Sequence, residues 1–280
     1  MEHAVFVLGA YDPEMRTVRK MLGNAGYRSV VANRFGRRCV SSNAYMADSL
    51  SKPIASDVPK VWVECRSPDY DAARDVIVDH HNEGDPGYDA PPAAYWEGSS
   101  VGQVAQLIGA PKDKYAMCAA ASDHCLSAAM RGECGDVTPA EVMEWRIGVR
   151  ASMMDISPWL LRRRIDRAIQ RLEALPALRF AGETIIDASF DLTPELRDAA
   201  AIAGKPIITT RQDSLGRIKF GLYGARNELV TEWLGIMRSS SWVESCYGNP
   251  FREYAGVLLN EESSTLMLRS RSQRLEPAIH

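Results

Sequence analysis

The first half of this chain is constrained above all by a rhythm: short apolar runs, several ending in an acid, alternate with stretches of helical period. Ala4-Val5-Phe6-Val7-Leu8-Gly9, Ser29-Val30-Val31-Ala32, Val61-Trp62-Val63-Glu64-Cys65 and Val76-Ile77-Val78-Asp79 each have the length of a strand. The last two are apolar without alternation, which predicts central strands of a parallel sheet covered on both faces. Pro13 to Ala25 places Met15, Val18, Met21 and Leu22 on one helical face, with Asp12 positioned to cap it. Further helices are predicted from Gly98 to Ile108 and from Lys114 to Met130. The alternation predicts an α/β fold: an open, mostly parallel sheet with helices on both faces, whose ligands bind beyond the carboxyl ends of the strands.

Past residue 150 the rhythm changes. A helix from Pro158 to Leu175 carries Leu161, Ile165, Ala168, Leu172 and Leu175 on one face, and Pro176 ends it. Its other face bears Arg163, Arg167 and Arg171, which charge patterning reads as a solvated face before a phosphate-facing stripe. Then follow Thr184-Ile185-Ile186, a helix from Pro194 to Ala203, and two apolar runs flanking Asp213-Ser214-Leu215-Gly216, which predict a hairpin. The expected organisation is a first domain over 1–150, a linker helix over 151–176 and a smaller α+β substrate-binding domain over 177–280. The Ser- and Arg-rich tail after Asn260 predicts no definite element.

Composition narrows the function classes. With 46% hydrophobic and 25% charged residues the chain is ordinary globular material, not a disordered segment or a disulfide scaffold. A net charge of −3 gives it no general attraction to nucleic acid or to an anionic membrane. No run of about 18 apolar residues offers a membrane span. The apolar run behind Met1-Glu2-His3 is too short for a signal peptide. The six cysteines stand singly, as reduced thiols of a cytoplasmic protein would.

Acids and imidazoles gather at the ends of the expected strands: Asp12 and Glu14 after the first, Glu64 after another, Asp79-His80-His81 after a third. Ser122-Asp123-His124 interrupts an alanine-rich stretch. Carboxylates with neutral imidazoles suit Mn²⁺ or Mg²⁺, and the closely spaced cysteines of a structural zinc site are absent from the sequence. Neighbouring side chains of a strand point to opposite faces, so His80 and His81 are expected to divide their roles unless the chain turns there.

The run Val76-Ile77-Val78-Asp79-His80-His81 resembles the signature of the DHH phosphoesterase superfamily. That group includes single-strand exonucleases, short-oligonucleotide and cyclic-dinucleotide phosphodiesterases, and manganese pyrophosphatases. The resemblance covers residues 1 to 150 and takes in a small-residue helix start at Gly98-Ser99-Ser100. It implies that His80 and Asp123 ligate metal, that His81 contacts the scissile phosphate or protonates the leaving group, and that Asp79 orients an imidazole. The family's first motif, His-x-Asp-x-Asp, is matched by Ala10, Asp12 and Glu14, so the His is replaced and the second acid is longer. Glu64 stands nearest the family's metal-bridging Asp. Ser99, Ser100 and His124 are expected to line the same pocket. In place of the Gly-Gly-Gly-His segment of the nuclease members stand Tyr247-Gly248-Asn249-Pro250 and Tyr254-Ala255-Gly256. There Gly248 and Gly256 would let backbone N–H groups approach a phosphate.

The expectation is a metal-dependent phosphoesterase that hydrolyses a phosphodiester or phosphoanhydride in a small nucleotide or short oligonucleotide held between the domains. Mn²⁺ is favoured over Mg²⁺, no membrane partner is implied, and a homodimer is compatible with the reading. The alternative is a catalytically degenerate DHH-like nucleotide-binding protein. A polynucleotide exonuclease is disfavoured by the acidic balance and the missing Gly-Gly-Gly-His segment.

Overall fold

Strand-length apolar runs that cannot pair locally must find partners across intervening helices, and in this chain they do so twice. The computed structural model describes residues 4–213 and 216–275, with side chains of the final helix described as far as Leu268. Met1, Glu2 and His3, on which the leader reading rests, and Ser214 and Leu215 of the expected hairpin loop lie outside the described residues. The chain divides into two compact units, Met1–Pro158 and Trp159–His280.

The first unit runs β1 (Val5–Leu8), α1 (Pro13–Asn24), β2 (Ser29–Arg34), β3 (Arg37–Arg38), β4 (Ser49–Leu50), β5 (Lys60–Val63) and β6 (Val76–Val78). Five helices follow: α2 (Tyr95–Gly98), α3 (Ser100–Ile108), α4 (Lys114–His124), α5 (Leu126–Met130) and α6 (Pro139–Met153). The sheet order is β3-β2-β1-β5-β6, with β4 also on β2. Strands β2, β1, β5 and β6 are mutually parallel, Val7 pairing with Val30 and Trp62, and Trp62 with Ile77. The α/β class read from the sequence is therefore the one adopted.

Two details differ from the sequence reading. Strand β6 is at the edge of the sheet, not inside it. Its apolar run is covered only at its end, with Val76 exposed, Ile77 half-buried and Val78 buried, and says nothing about how many neighbours its backbone has. Secondly, the helices gather on one face, where Phe6, Leu8, Val61, Val63 and Val78 pack against α1, α3, α4 and α6. The opposite face, with Val5, Val7 and Trp62, is covered by irregular chain around Cys39, Ala44, Ala47, Ile54 and Tyr70. The connection between β2 and β5, with Tyr70 from the one between β5 and β6, covers this face without an α-helix.

Capping sets where the helices begin. Asp12 accepts a hydrogen bond from Met15 N at 2.8 Å with Pro13 in the first turn. Ser99 does the same for α3 through Gly102 N, and Thr138 with Glu141 forms a reciprocal box at α6. The expected helix from Lys114 to Met130 breaks at Cys125, whose extended φ of −155° ends α4 directly after His124.

The second unit runs α7 (Pro158–Leu172), β7 (Ala177–Phe180), β8 (Glu183–Ala188), α8 (Leu196–Ile202), β9 (Ile207–Gln212), β10 (Ile218–Tyr223), α9 (Asn227–Arg238), β11 (Val243–Asn249), β12 (Tyr254–Leu259) and α10 (Glu261–Leu275). The sheet order is β11-β12-β10-β9-β8-β7, antiparallel except for β8 with β9. Helix α7, expected as a linker, packs Ala168 and Leu172 against β8, α8 and β9 and so belongs to this unit's own core. The tail that predicted no element begins α10. No described helix is long and apolar enough to cross a membrane.

Candidate metal centre

All the parallel strands of the first unit end on the same edge, and the chain makes a tight exit from each. Gly9 leaves β1 where a Cβ would stand 2.4 Å from the Glu64 carbonyl oxygen, so only glycine passes. Glu64 leaves β5 in the left-handed region, at φ 51°, while its N–H still reaches the Val78 carbonyl. A non-glycine residue held there stores strain of the kind found at functional sites. Strand β6 ends at Val78, before the Asp-His-His run, so strand alternation does not govern the two histidines. Asp79 Oδ1 accepts from the His80 and His81 backbone N–H groups at 2.7 and 3.0 Å and turns the chain. Both imidazoles then lie together, ring centroids 4.6 Å apart.

The site is built on His80, which is fully buried. Its Nε2 stands 3.2 Å from Asp123 Oδ2, 3.5 Å from Glu64 Oε1 and 3.8 Å from Glu14 Oε2. Donor atoms of Glu64, His80, His81 and Asp123 all lie within 4.8 Å of one another. The proton positions follow from the other side of the ring. His124 Nε2 is 2.9 Å from the Ala90 carbonyl, which can only accept, so the proton of a neutral His124 is on Nε2. Its Nδ1 is then an acceptor, 3.1 Å from His80 Nδ1, and the proton between them belongs to His80. In the neutral ring this leaves the lone pair of His80 Nε2 turned toward three carboxylates, the form that binds a cation.

Acceptors facing acceptors in a buried space call for a cation. Glu14 Oε2 and Glu64 Oε1 are buried with no hydrogen-bond partner, a costly arrangement for carboxylate oxygens. The other oxygen of Glu14 takes Val101 N, in the first turn of α3, at 2.9 Å. A set of carboxylate oxygens with one or two imidazole nitrogens fits a divalent ion such as Mn²⁺ or Mg²⁺. Charge crowding has the expected effect on the acids. Burial, then Glu64 and Asp123, push the Asp12 carboxyl up to about 8. Burial and the same two neighbours push Glu14 well above the carboxylate range. Burial pushes Glu64 up too, but the positive charge of His81 and the hydrogen bond and charge of a protonated His80 outweigh this and hold it below the ordinary value in the metal-free site.

Asp79 holds His81 as well as the turn. Its Oδ1 lies 2.9 Å from His81 Nδ1 and its Oδ2 accepts from the Tyr45 hydroxyl at 2.9 Å. Burial opposes the charge, but the bonds from His81 and Tyr45 keep Asp79 below the usual range. The carboxylate on Nδ1 thus fixes the orientation of the partly exposed His81 ring.

The remaining candidates take varied places. Asp12 caps α1 and also feels the charges of Glu64 and Asp123, so its cap and its position at the cluster coexist. Ser99 Oγ is occupied in capping, accepting from Gly102 N and donating to Trp96 O. Ser100 is fully buried and its Oγ has no hydrogen-bond partner. His124 is buried behind His80 rather than lining an open pocket. Gly248 and Gly256 lie in β11 and β12 of the second unit, and a Cβ at Gly256 would fall 2.3 Å from the Tyr247 ring. Tyr45, Gln103 and Arg146 escaped the sequence reading. Gln103 Nε2 ties the Asp79 carbonyl to that of Gly98, and Arg146 donates to Ser122 Oγ beside Asp123. No local motif marks these residues; only the fold brings them in.

No protein-family model matches the chain, and no curated protein does. Among solved structures, a pGpG-specific phosphodiesterase, PggH from Vibrio cholerae, is similar over 97% of this chain and 98% of its own, at 11% identity and a TM-score of 0.38. A likeness that distant leaves the functional reading to rest on the geometry of the site.

Proposed function

We propose that the protein is a metal-dependent phosphoesterase of the DHH type, hydrolysing a phosphodiester or phosphoanhydride in a small nucleotide or short oligonucleotide. The observation that carries this reading is the convergence of Glu14, Glu64 and Asp123 on His80 Nε2, with two buried carboxylate oxygens left without a hydrogen bond. Glu64, His80 and Asp123 would hold the metal, with Glu14 and Asp12 completing the set. A divalent ion bound there supplies a lowered pKa for its water and charge compensation at a phosphoryl oxygen. His81, kept in one orientation by Asp79, would present Nε2 to the phosphate and hold the proton that the leaving oxygen needs. His124 would keep the His80 lone pair turned to the carboxylates.

A nucleotide-binding protein without turnover is the competing reading, favoured by the buried Ala10 where the family's first motif has a donor. Calorimetric titration with Mn²⁺, followed by hydrolysis assays on a short oligonucleotide panel, separates the two. Metal binding with turnover supports the enzyme; metal-independent nucleotide binding without turnover supports the alternative. Absence of any Mn²⁺ binding at millimolar concentration removes the phosphoesterase reading.

A further inference from the structure

Beside the acid cluster lies an arginine whose buried donor edge meets no acceptor. The hairpin of β2 and β3 extends past the carboxyl end of β1: Leu8 pairs with Val31, and Arg38 lies across from Asn33, two residues further on. That places Arg38 at the ligand edge of the sheet. Its guanidinium sits over the ring of Tyr11, 4.7 Å from the centroid, next in sequence to Asp12. Nε and Nη2 are both buried and neither finds an acceptor. These two nitrogens form one edge of the guanidinium and present parallel N–H bonds, the edge that grips two oxygens of a planar or tetrahedral anion at once.

The surroundings do not explain so expensive an arrangement. Burial lowers the Arg38 pKa and the charge of Arg19, on α1, lowers it further, while Tyr11 and Asp12 favour the cation only through space. Two arginines lie within electrostatic range of each other, and the donor edge of one is dry and meets no acceptor. A substrate phosphate, held at the adjoining carboxylate–imidazole cluster, supplies both the charge and the paired acceptors.

We propose that Arg38 is a phosphate-binding residue of this site, taking two non-bridging oxygens of a substrate phosphate on its Nε–Nη2 edge. The inference rests on the phosphoesterase reading for the identity of the substrate, whereas the anion site itself follows from the donor edge. Arg→Lys keeps the charge but loses the fork; Arg→Gln loses both.

The test uses the full chain, with R38K and R38Q beside the unaltered protein. Inorganic phosphate binding is measured without metal, Mn²⁺ affinity is measured separately, and KM and kcat are measured on a short oligonucleotide. In R38Q phosphate affinity is expected to fall roughly tenfold or more, in line with the loss of hydrogen bonds to a charged group. KM should rise comparably, with kcat changed less and Mn²⁺ affinity kept within about twofold. R38K should fall between the two, and it serves as the informative variant should R38Q fold poorly. Unchanged phosphate affinity and KM in R38K and R38Q, with Mn²⁺ still bound, would overturn the proposal. Failure of the unaltered protein to bind Mn²⁺ or hydrolyse anything would instead overturn the phosphoesterase reading, and Arg38-dependent phosphate binding would survive it.

Discussion

Removing His124 leaves every candidate ligand in place and takes away only the partner that fixes the proton of His80. The substitution His124→Phe should therefore weaken Mn²⁺ binding by about 10- to 100-fold, the usual consequence of losing an outer hydrogen bond to a ligating imidazole. His80→Ala should cost more, and His81→Ala less, because Asp79 already engages His81 Nδ1. Calorimetry on the three variants ranks them; an unchanged affinity in His124→Phe would show the proton assignment to be wrong. The same residues set a pH response. Asp12 is raised from 3.8 to about 8 by burial and its acidic neighbours, so between these values the folded state holds a proton that the unfolded state releases. The contribution of Asp12 to the stability of the metal-free protein then falls as pH rises from about 4 to 8, and Glu14 acts in the same direction. Glu64 and Asp79 are lowered, and their contribution is lost only as pH falls below the ordinary carboxylate range, outside this window. Saturating Mn²⁺ favours the ionised acids and should flatten the slope; urea midpoints from pH 5 to 8 with and without the ion check it. Residue identity at the site was legible because Asp-His-His, Asp123 and Glu64 bear their chemistry openly. The roles proposed for His124 and Arg38 were not, since one depends on which carbonyl faces a ring nitrogen and the other on a donor edge that meets no acceptor.

At the scale of elements, the site depends on helices and turns approaching more closely than side chains allow. Gly98 ends α2 against the His124 ring, and a Cβ there would stand 2.7 Å from Cε1 of His124 and 2.4 Å from Cβ of Ala90. Gly98→Ala should accordingly cost about 1–3 kcal/mol of stability through overpacking. It should also lower Mn²⁺ affinity by displacing His124 from behind His80. Gly148→Ala in α6 is the contrasting case, with open space around the added methyl. There the change should be neutral or stabilising by up to about 1 kcal/mol, as helix propensity dictates. Denaturant melts and metal titrations of the pair separate local crowding from a general intolerance of substitution. These approaches were only partly legible. Apolar runs announced strands β1, β5 and β6, and Asp12 announced α1 through its cap. The edge position of β6 was hidden because three consecutive apolar residues read as covered, whereas Val76 is exposed, Ile77 half-buried and only Val78 buried. The break after α4 was hidden too, since an alanine-rich run continues through Cys125 without a proline or glycine to stop it.

For the whole molecule, the change of rhythm past residue 150 corresponds to two separate cores. Residues of β1, β5 and β6 with α1, α3, α4 and α6 make the first, and α9 with β10 and β12 makes the main core of the second. Every residue proposed to hold metal, from Asp12 to Asp123, belongs to the first unit, Met1–Pro158. So does His124, which fixes the His80 proton, and so does Asp79, which holds His81. A fragment of residues 1–158 should therefore fold with its own core and bind Mn²⁺ within a few-fold of the full chain. Mass action then provides a second readout: Mn²⁺ at one hundred times its Kd should raise the fragment's stability by about 2.7 kcal/mol, provided the unfolded chain does not bind the ion. A folded fragment with no such shift, while the full chain shows it, would mean that a donor from residues 159–280 completes the centre. Hydrolysis by the fragment asks a different question. If Arg38 and the carboxylate–imidazole cluster suffice to seat the phosphate, kcat should be largely retained. Any role of the second unit in holding the rest of the substrate should then emerge as a raised KM.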